Sequence, residues 1–465
     1  MSDRLTPLDV SFLYMEESTT AMHVGGVGIF RVPDAGFDYD QFVELISSRI
    51  AFVPRYRQRI RTVPGRLANP VWVDDEHFDV TFHVRRSALP RPGADAQLHE
   101  LVARLMSRSL DRNRPLWEIY LVEGLSDNRF AVITKTHHAM VDGVSAIDIG
   151  QIMLDIDPSP RSTPPDSWHP HPEPSWLELV AGAISDAVRR PTQVFDTLLT
   201  GANDLRQTSE RVLGAAIGLL SAASVVVQPA PSSPLNVSIT SQRRFATAHT
   251  DLDDYKRVRK FHGGTVNDVV LATVAGALRS WLLARGEILS SGATVRAMVP
   301  VSIRRPGTPG EAAVGNAIAS YVVDLPVGEV DAVMRLSQVT HSMRAVKEAY
   351  QAVGAEALVR IGGFAPPTLH SLGARVVSRM SKRVFNVLVT NVPGPQFPLY
   401  AAGALMLEAY PVVPLVKGQA VAIGCTSYNG SLTFGLNADR DAMRDVDMLA
   451  SCLEESLQEL VETVR

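Results

Sequence analysis

Between Pro158 and Pro174 the chain places Pro158, Pro160, Pro164, Pro165, Pro170, Pro172 and Pro174. Each proline fixes φ and removes a backbone donor, so this density blocks both a helix and a central strand. The stretch reads as a linker, and it breaks the chain in two. With 465 residues, too many for one ordinary core, two packed lobes follow. A second proline group, Pro229, Pro231 and Pro234, closes the middle segment. Between the two groups Trp176, Leu179, Val180, Ala183, Ile184, Ala187 and Val188 recur at helix spacing. The predicted organisation is a first lobe over 1–160, a linker and helical crossover over 161–238, and a second lobe over 239–465. Hydrophobic residues at 46% and charged residues at 20% supply cores for both lobes.

Both lobes mix helix and strand signals, which makes the class α/β (α+β). In the first, Arg57, Arg59 and Arg61 alternate with Gln58 and Ile60. Period two puts the three arginines on one strand face, either solvated or open to phosphate. In the second, Asp253–Lys260 reads as a charged helix that Gly263-Gly264 breaks. Thr265 then caps a helix with Val270, Thr273, Val274, Ala277, Leu278 and Trp281 as its buried stripe, ended by Gly286. Asn429-Gly430 between two apolar runs suits a type I′ hairpin. Val446, Leu449, Leu453, Leu457, Leu460 and Val464 mark a last helix lying on a sheet.

A net charge of −4 argues against nucleic acid as a partner. Cys425 and Cys452 both fall in regular structure, which argues against a secreted disulfide framework or a thiolate zinc site. Met1–Glu16 has no long apolar run and does not read as a signal peptide. A cytoplasmic protein is expected. The uncharged Val212–Val227 is shorter than the roughly 20 residues of a spanning helix and reads as a docked helix or a surface helix that touches lipid.

The strongest chemical signal is His137-His138-Ala139-Met140-Val141-Asp142-Gly143, between an apolar strand at 130–136 and a helix at 144–156. Four fixed residues in this window arise by chance in about one chain per thousand. A neutral imidazole takes a proton from a hydroxyl and returns it later. Neighbouring histidines on an extended chain point to opposite sides, so only one can face a reaction centre. They are then a poor chelate, and no H-E-x-x-H is present. A general base ranks ahead of a buried structural pair and of a metal site. Asp142 orients a histidine or holds the loop, and Gly143 permits a tight turn. His169 and His171 lack a nearby third ligand. No metal is expected, and neither a Walker loop nor a dinucleotide glycine motif occurs.

The HHxxxDG pattern resembles the CoA-dependent acyltransferase superfamily. Further marks narrow the resemblance: Leu5-Thr6-Pro7-Leu8-Asp9 with Phe12-Leu13, Pro115-Leu116-Trp117-Glu118, Asn267-Asp268, Pro300–Arg304, Gly315-Asn316 and Asn391–Pro395. In this order, and along the whole chain, they resemble the bacterial wax ester synthase/diacylglycerol acyltransferase family. The resemblance implies two chloramphenicol-acetyltransferase-like lobes with a tunnel between them. It makes His138 the base, His137 its support and Asp142 a structural residue, with Arg304 as candidate partner. Asn267 stands either near the oxyanion or substrate or, with Asp268, as a plain helix cap. Pro115, Leu116 and Trp117 are structural, and Asn391 sits at a turn that fixes a strand. Glu16 and His23 read as ordinary polar residues, with the acceptor channel as their other placing.

The implied substrates are a fatty acyl-CoA, as co-substrate with no permanently bound cofactor, and diacylglycerol or a long-chain alcohol. Contact with the inner membrane or lipid droplets is expected from their greasiness. A carrier-bound donor and a non-catalytic acyl-CoA or lipid-binding protein are the competing readings.

Overall fold

A computed structural model describes residues 3–34, 36–141, 149–161, 166, 168–189, 229–302, 318–353 and 384–464. The first lobe runs α1 (Pro7–Met15), β1 (His23–Arg31), α2 (Tyr39–Ile50), β2 (Gln58–Arg61), β3 (Val71–Asp74), α3 (Val80–His83) and β4 (Val84–Ala88). It continues through α4 (Asp95–Met106), β5 (Trp117–Leu125), β6 (Arg129–His137), α5 (His138–Val141) and α6 (Ile149–Met153). After α7 (Trp176–Arg189) come β7 (Arg243–Asp251), α8 (Leu252–His262), α9 (Val266–Ala284), β8 (Val295–Ser302), β9 (Ile318–Leu325) and α10 (Ala332–Val353). The chain ends with β10 (Val387–Pro393), β11 (Tyr400–Ala401), β12 (Ala404–Val412), β13 (Val421–Tyr428), β14 (Ser431–Asp439) and α11 (Val446–Glu462).

Two six-stranded sheets result, ordered β11-β12-β1-β6-β5-β4 and β7-β14-β13-β10-β8-β9, besides the β2-β3 ribbon. The first sheet is covered on both faces. Along β6, Phe130 and Val132 pack with Phe42 and Trp117, while Ala131 and Ile133 face Leu98 and Val102 of α4. The lobes share strands unequally: β11 and β12, from residues 400–412, pair into the first sheet against β1. The proposed boundary at 239 therefore separates the chain but not the two sheets. An edge strand gains a ladder of hydrogen bonds when a segment from elsewhere covers it.

That crossing needs room. Gly424 lies close to Pro411 and Val413, and a Cβ on Gly435 would stand 1.9 Å from the Pro411 carbonyl oxygen. Gly435→Ala is expected to destabilise the protein by about 3 kcal/mol, the upper end for overpacking, and a urea-unfolding midpoint checks it.

The second lobe follows its sequence signals. Thr265 Oγ1 accepts from the Asp268 amide at 3.2 Å, and Asp268 Oδ2 accepts from the Thr265 amide at 2.8 Å, a reciprocal cap. The predicted stripe of α9 is buried, but so are Val269, Leu271, Ala272 and Ala275, because α8, α10 and α11 also pack on this helix. Gly286 follows its end with φ +80°, and the 429–430 hairpin turn has φ +45° and +87°. The last helix packs on α9 and on β7 and β14.

The three arginines depart from the expected strand face. Arg57 ends a 3₁₀ turn (Pro54–Arg57), and only Arg59 and Arg61 lie in β2. Arg57 is buried, Arg59 is half-buried and Arg61 is exposed, and all three are paired with carboxylates of the linker. Arg57 pairs with Asp166 and lies 4.8 Å over the Trp168 ring, and Arg59 and Arg61 hold Glu173 at 2.5 and 2.8 Å. His171 donates to Asp74 at 2.8 Å. The proline-rich linker is thus strapped to the first lobe by charge. Beyond it α7 buries Leu179 and Ala183 but exposes Trp176, Leu177 and Ile184. The apolar run 212–227 lies outside the described residues.

Candidate active site

β5 and β6 bring the histidine pair to a strand end. Leu116 and Trp117 are fully buried at the start of β5, and the Trp117 indole donates to the Tyr56 carbonyl at 2.8 Å. Next door, the His137 amide donates to the Leu116 carbonyl at 2.9 Å. His137 is the last residue of β6 and His138 the first of α5, whose amide donates to the Met22 carbonyl at 2.9 Å. The strand stops between the two rings, so they part at a strand-to-helix corner instead of along an extended chain.

His137 is buried, and its Nδ1 accepts from the Ala139 amide at 3.0 Å. That bond places the neutral ring's proton on Nε2, which lies 3.8 Å from Glu16 Oε2. Glu16 is held by Arg112, through Nε at 3.1 Å and Nη2 at 2.5 Å. His137 therefore caps the first turn that carries His138. The His138 ring stacks on Phe12, centroids 4.6 Å apart and planes at 14°. Its Nδ1 is buried without a hydrogen-bond partner among the described residues.

Burial favours the neutral form of both rings. It pushes His138 down to about 4. His137 is pushed to about 3, by burial first and then by the charges of Arg112 and His138. Each folded value lies below the usual 6.5, so the unfolded chain binds more protons in between. Their contribution to stability is full above pH 6.5 and is lost as pH falls through the folded values. Thermal melts at pH 7.5, 5.5 and 4.5 are expected to show a falling midpoint.

A second ring of polar groups surrounds this corner. His23 pairs with His137 across the β1–β6 ladder and donates from Nε2 to the Met106 carbonyl at 3.1 Å. Lys135, fully buried two residues before His137, donates to the carbonyls of Leu105 at 3.1 Å and of Arg108 at the end of α4. Burial lowers it to about 8. Glu16 and His23, read from sequence as ordinary polar residues, belong to the surroundings of the pair, and Arg112 and Lys135 were missed. A lysine inside the apolar run of β6 was the available signal, since a buried charge needs partners.

From the second lobe, Asn267 and Asn391 meet: the Asn391 amide donates to Asn267 Oδ1 at 3.1 Å. Helix capping is done by Thr265 and Asp268, so the Asn267 side chain is not the cap. Two motifs 124 residues apart are joined at the start of α9 and the end of β10. Asp142, Gly143, Arg304, Gly315 and Asn316 lie outside the described residues.

This arrangement, a neutral imidazole fixed at a strand end, suits proton transfer to and from an oxygen nucleophile. Comparison with known proteins gives the same direction. Residues 5–270 match the model of the wax ester synthase/diacylglycerol acyltransferase catalytic domain, and residues 314–461 match that of the WS/DGAT C-terminal domain. The probable diacylglycerol O-acyltransferase tgs2 of Mycobacterium tuberculosis is 34% identical over 99% of both chains. The probable diacylglycerol O-acyltransferase tgs3 of the same organism is 44% identical over 56% of this chain and 96% of its own. The wax ester synthase/diacylglycerol acyltransferase of Marinobacter aquaeolei VT8 superposes with a TM-score of 0.70, at 30% identity and 99% coverage of each chain. The starter condensation domain of rhizomide synthetase, 11% identical over 100% of this chain and 94% of its own, shares the fold at a TM-score of 0.57. The chain is an acyltransferase and belongs to the wax ester synthase/diacylglycerol acyltransferase family.

Proposed function

We propose that the protein moves a long-chain acyl group from a fatty acyl-CoA to the free hydroxyl of diacylglycerol, giving triacylglycerol and coenzyme A. The observation that carries this reading is His138: neutral, stacked on Phe12 and capped into place by His137. With Nδ1 buried, Nε2 meets the hydroxyl. As the oxygen attacks the thioester carbonyl, Nε2 takes its proton and a tetrahedral oxyanion forms. Collapse breaks the carbon–sulfur bond, and the imidazolium returns the proton to the leaving thiolate. No acyl-enzyme is needed. The oxyanion requires fixed donors. Asn267, held by Asn391, is the proposed one from the second lobe. Asp142 is proposed to hold the corner, with Arg304 as its partner.

The lobes are proposed to enclose a tunnel that admits the two substrates from opposite sides. A long-chain alcohol is the second acceptor, favoured by the wax ester synthase structure that superposes on the whole chain. Peripheral contact of a cytoplasmic protein with membrane or lipid droplets is supported by the exposed Trp176, Leu177 and Ile184 of α7. Among the described residues one helix, Val266–Ala284, is long and apolar enough to cross a membrane, and it is the core of the second lobe.

The test is product analysis by mass spectrometry after incubation with palmitoyl-CoA and equal amounts of dioleoylglycerol and hexadecanol. Dioleoyl-palmitoyl-glycerol is expected as the main product. A predominance of palmityl palmitate would make the alcohol the acceptor.

A further inference from the structure

His138 has to carry a positive charge while the tetrahedral centre exists, in a setting that disfavours one. Burial lowers its proton affinity, its Nδ1 has no hydrogen-bond partner among the described residues, and no carboxylate is paired with it there. The group that does lie against the ring is an aromatic face. Phe12 stacks on it at 4.6 Å, and an aromatic face attracts a cation placed over it.

Phe12 is itself held at both ends of a short helix. Thr6 and Asp9 cap the start of α1 reciprocally, with bonds of 3.2 and 3.1 Å. Leu5, Val10 and Leu13 are buried in the first core. At the other end Arg112 donates to the Leu13 carbonyl at 3.0 Å and to Glu16, which also accepts from the Met22 amide at 3.4 Å. Glu16 caps the end of the helix and faces His137, and the Met22 carbonyl accepts from the His138 amide. The segment 5–23 is further tied to the second lobe, by Lys417 to Glu17 at 2.5 Å and by Arg243 to the Thr19 carbonyl.

We infer that α1 is the positioning element of the catalytic pair: Phe12 fixes the His138 ring plane and supports its imidazolium, and Glu16, at the end of the same helix, stands 3.8 Å from His137 Nε2. This rests on His138 being the base. The two residues act on different rings from one helix, so a single rigid element sets both.

The test compares Phe12→Leu, which keeps an apolar side chain without a π face, with Phe12→Tyr, which keeps the face. Phe12→Leu is expected to lower kcat about tenfold, within the range of such contacts, with KM for palmitoyl-CoA and for acceptor changed less than about twofold. Phe12→Tyr is expected to stay within about twofold of wild type. Wild-type kcat in Phe12→Leu, or an equal loss in both variants, would overturn the inference. A measurement on the wild type stands apart from turnover and from folding of the variants. In histidine-labelled protein the His138 Hε1 resonance is expected to be shifted upfield by the Phe12 ring current, and an unshifted resonance contradicts the stack. His138→Ala in parallel separates the two readings. If His138→Ala retains activity the base assignment fails, whereas an inactive His138→Ala beside a fully active Phe12→Leu leaves the base and removes the positioning role.

Discussion

Replacing Trp117 by alanine is expected to cost about 4 kcal/mol of stability, the middle of the range for deleting a buried large aromatic. The ring is fully buried, stacked on His83 at 4.5 Å and edge-on to Tyr56 at 5.5 Å. Alanine leaves a cavity and takes the donor away from the Tyr56 carbonyl. The loss reaches the active site by a short route, since Trp117 pairs with Thr136 in the β5–β6 ladder and the preceding carbonyl, Leu116, accepts from His137. Urea unfolding followed by circular dichroism measures the cost. Trp117→Phe keeps most of the volume and loses the indole donor, so a loss of about 1–2 kcal/mol is expected. A Trp117→Ala midpoint equal to wild type would mean that this strand start does not anchor the lobe.

His138→Ala is expected to lower kcat by about 10³-fold, the usual scale for removing a general acid–base, with little change in stability. The residue is half-buried, and among the described residues its side chain makes one ring contact, with Phe12. The sign of the pH effect follows from its protonation. The neutral ring accepts the proton, and burial sets its value at about 4. Wild-type turnover should be flat from pH 8 down to about 5.5 and fall as pH approaches that value. A base with the ordinary histidine value would already lose half its activity near pH 6.5. Stopped assays with palmitoyl-CoA across this range distinguish the two.

Much of this design was legible in the order of residues. A strand ending at the histidines followed from the apolar run 130–136, but the helix expected at 144–156 was not the one that turns the chain, which becomes helical already at His138; the cap at Thr265, the glycine after α9 and the Asn429-Gly430 turn each had a local cause. Local causes do not reach across the chain. Nothing near Ala404 says that β12 will leave the second lobe and pair with β1, because an apolar strand fits either sheet. The alternation at Arg57, Arg59 and Arg61 was real in sequence, but the partners that decided its meaning, Asp166 and Glu173, lie in the linker. Glu16 read as an ordinary polar residue and Lys135 was passed over, and only the fold places them beside the histidines. Asn267 and Asn391 were each legible as motif residues, and only the fold shows that they touch.

The most direct test of acyl transfer by His138 is thiol release from palmitoyl-CoA. It is followed with dioleoylglycerol, with hexadecanol and with no acceptor, for wild type and for His138→Ala. Acceptor-dependent release in the wild type that disappears in the variant is the expected result. Equal release by the two proteins, or release in the wild type that does not depend on acceptor, would contradict direct transfer with His138 as the base.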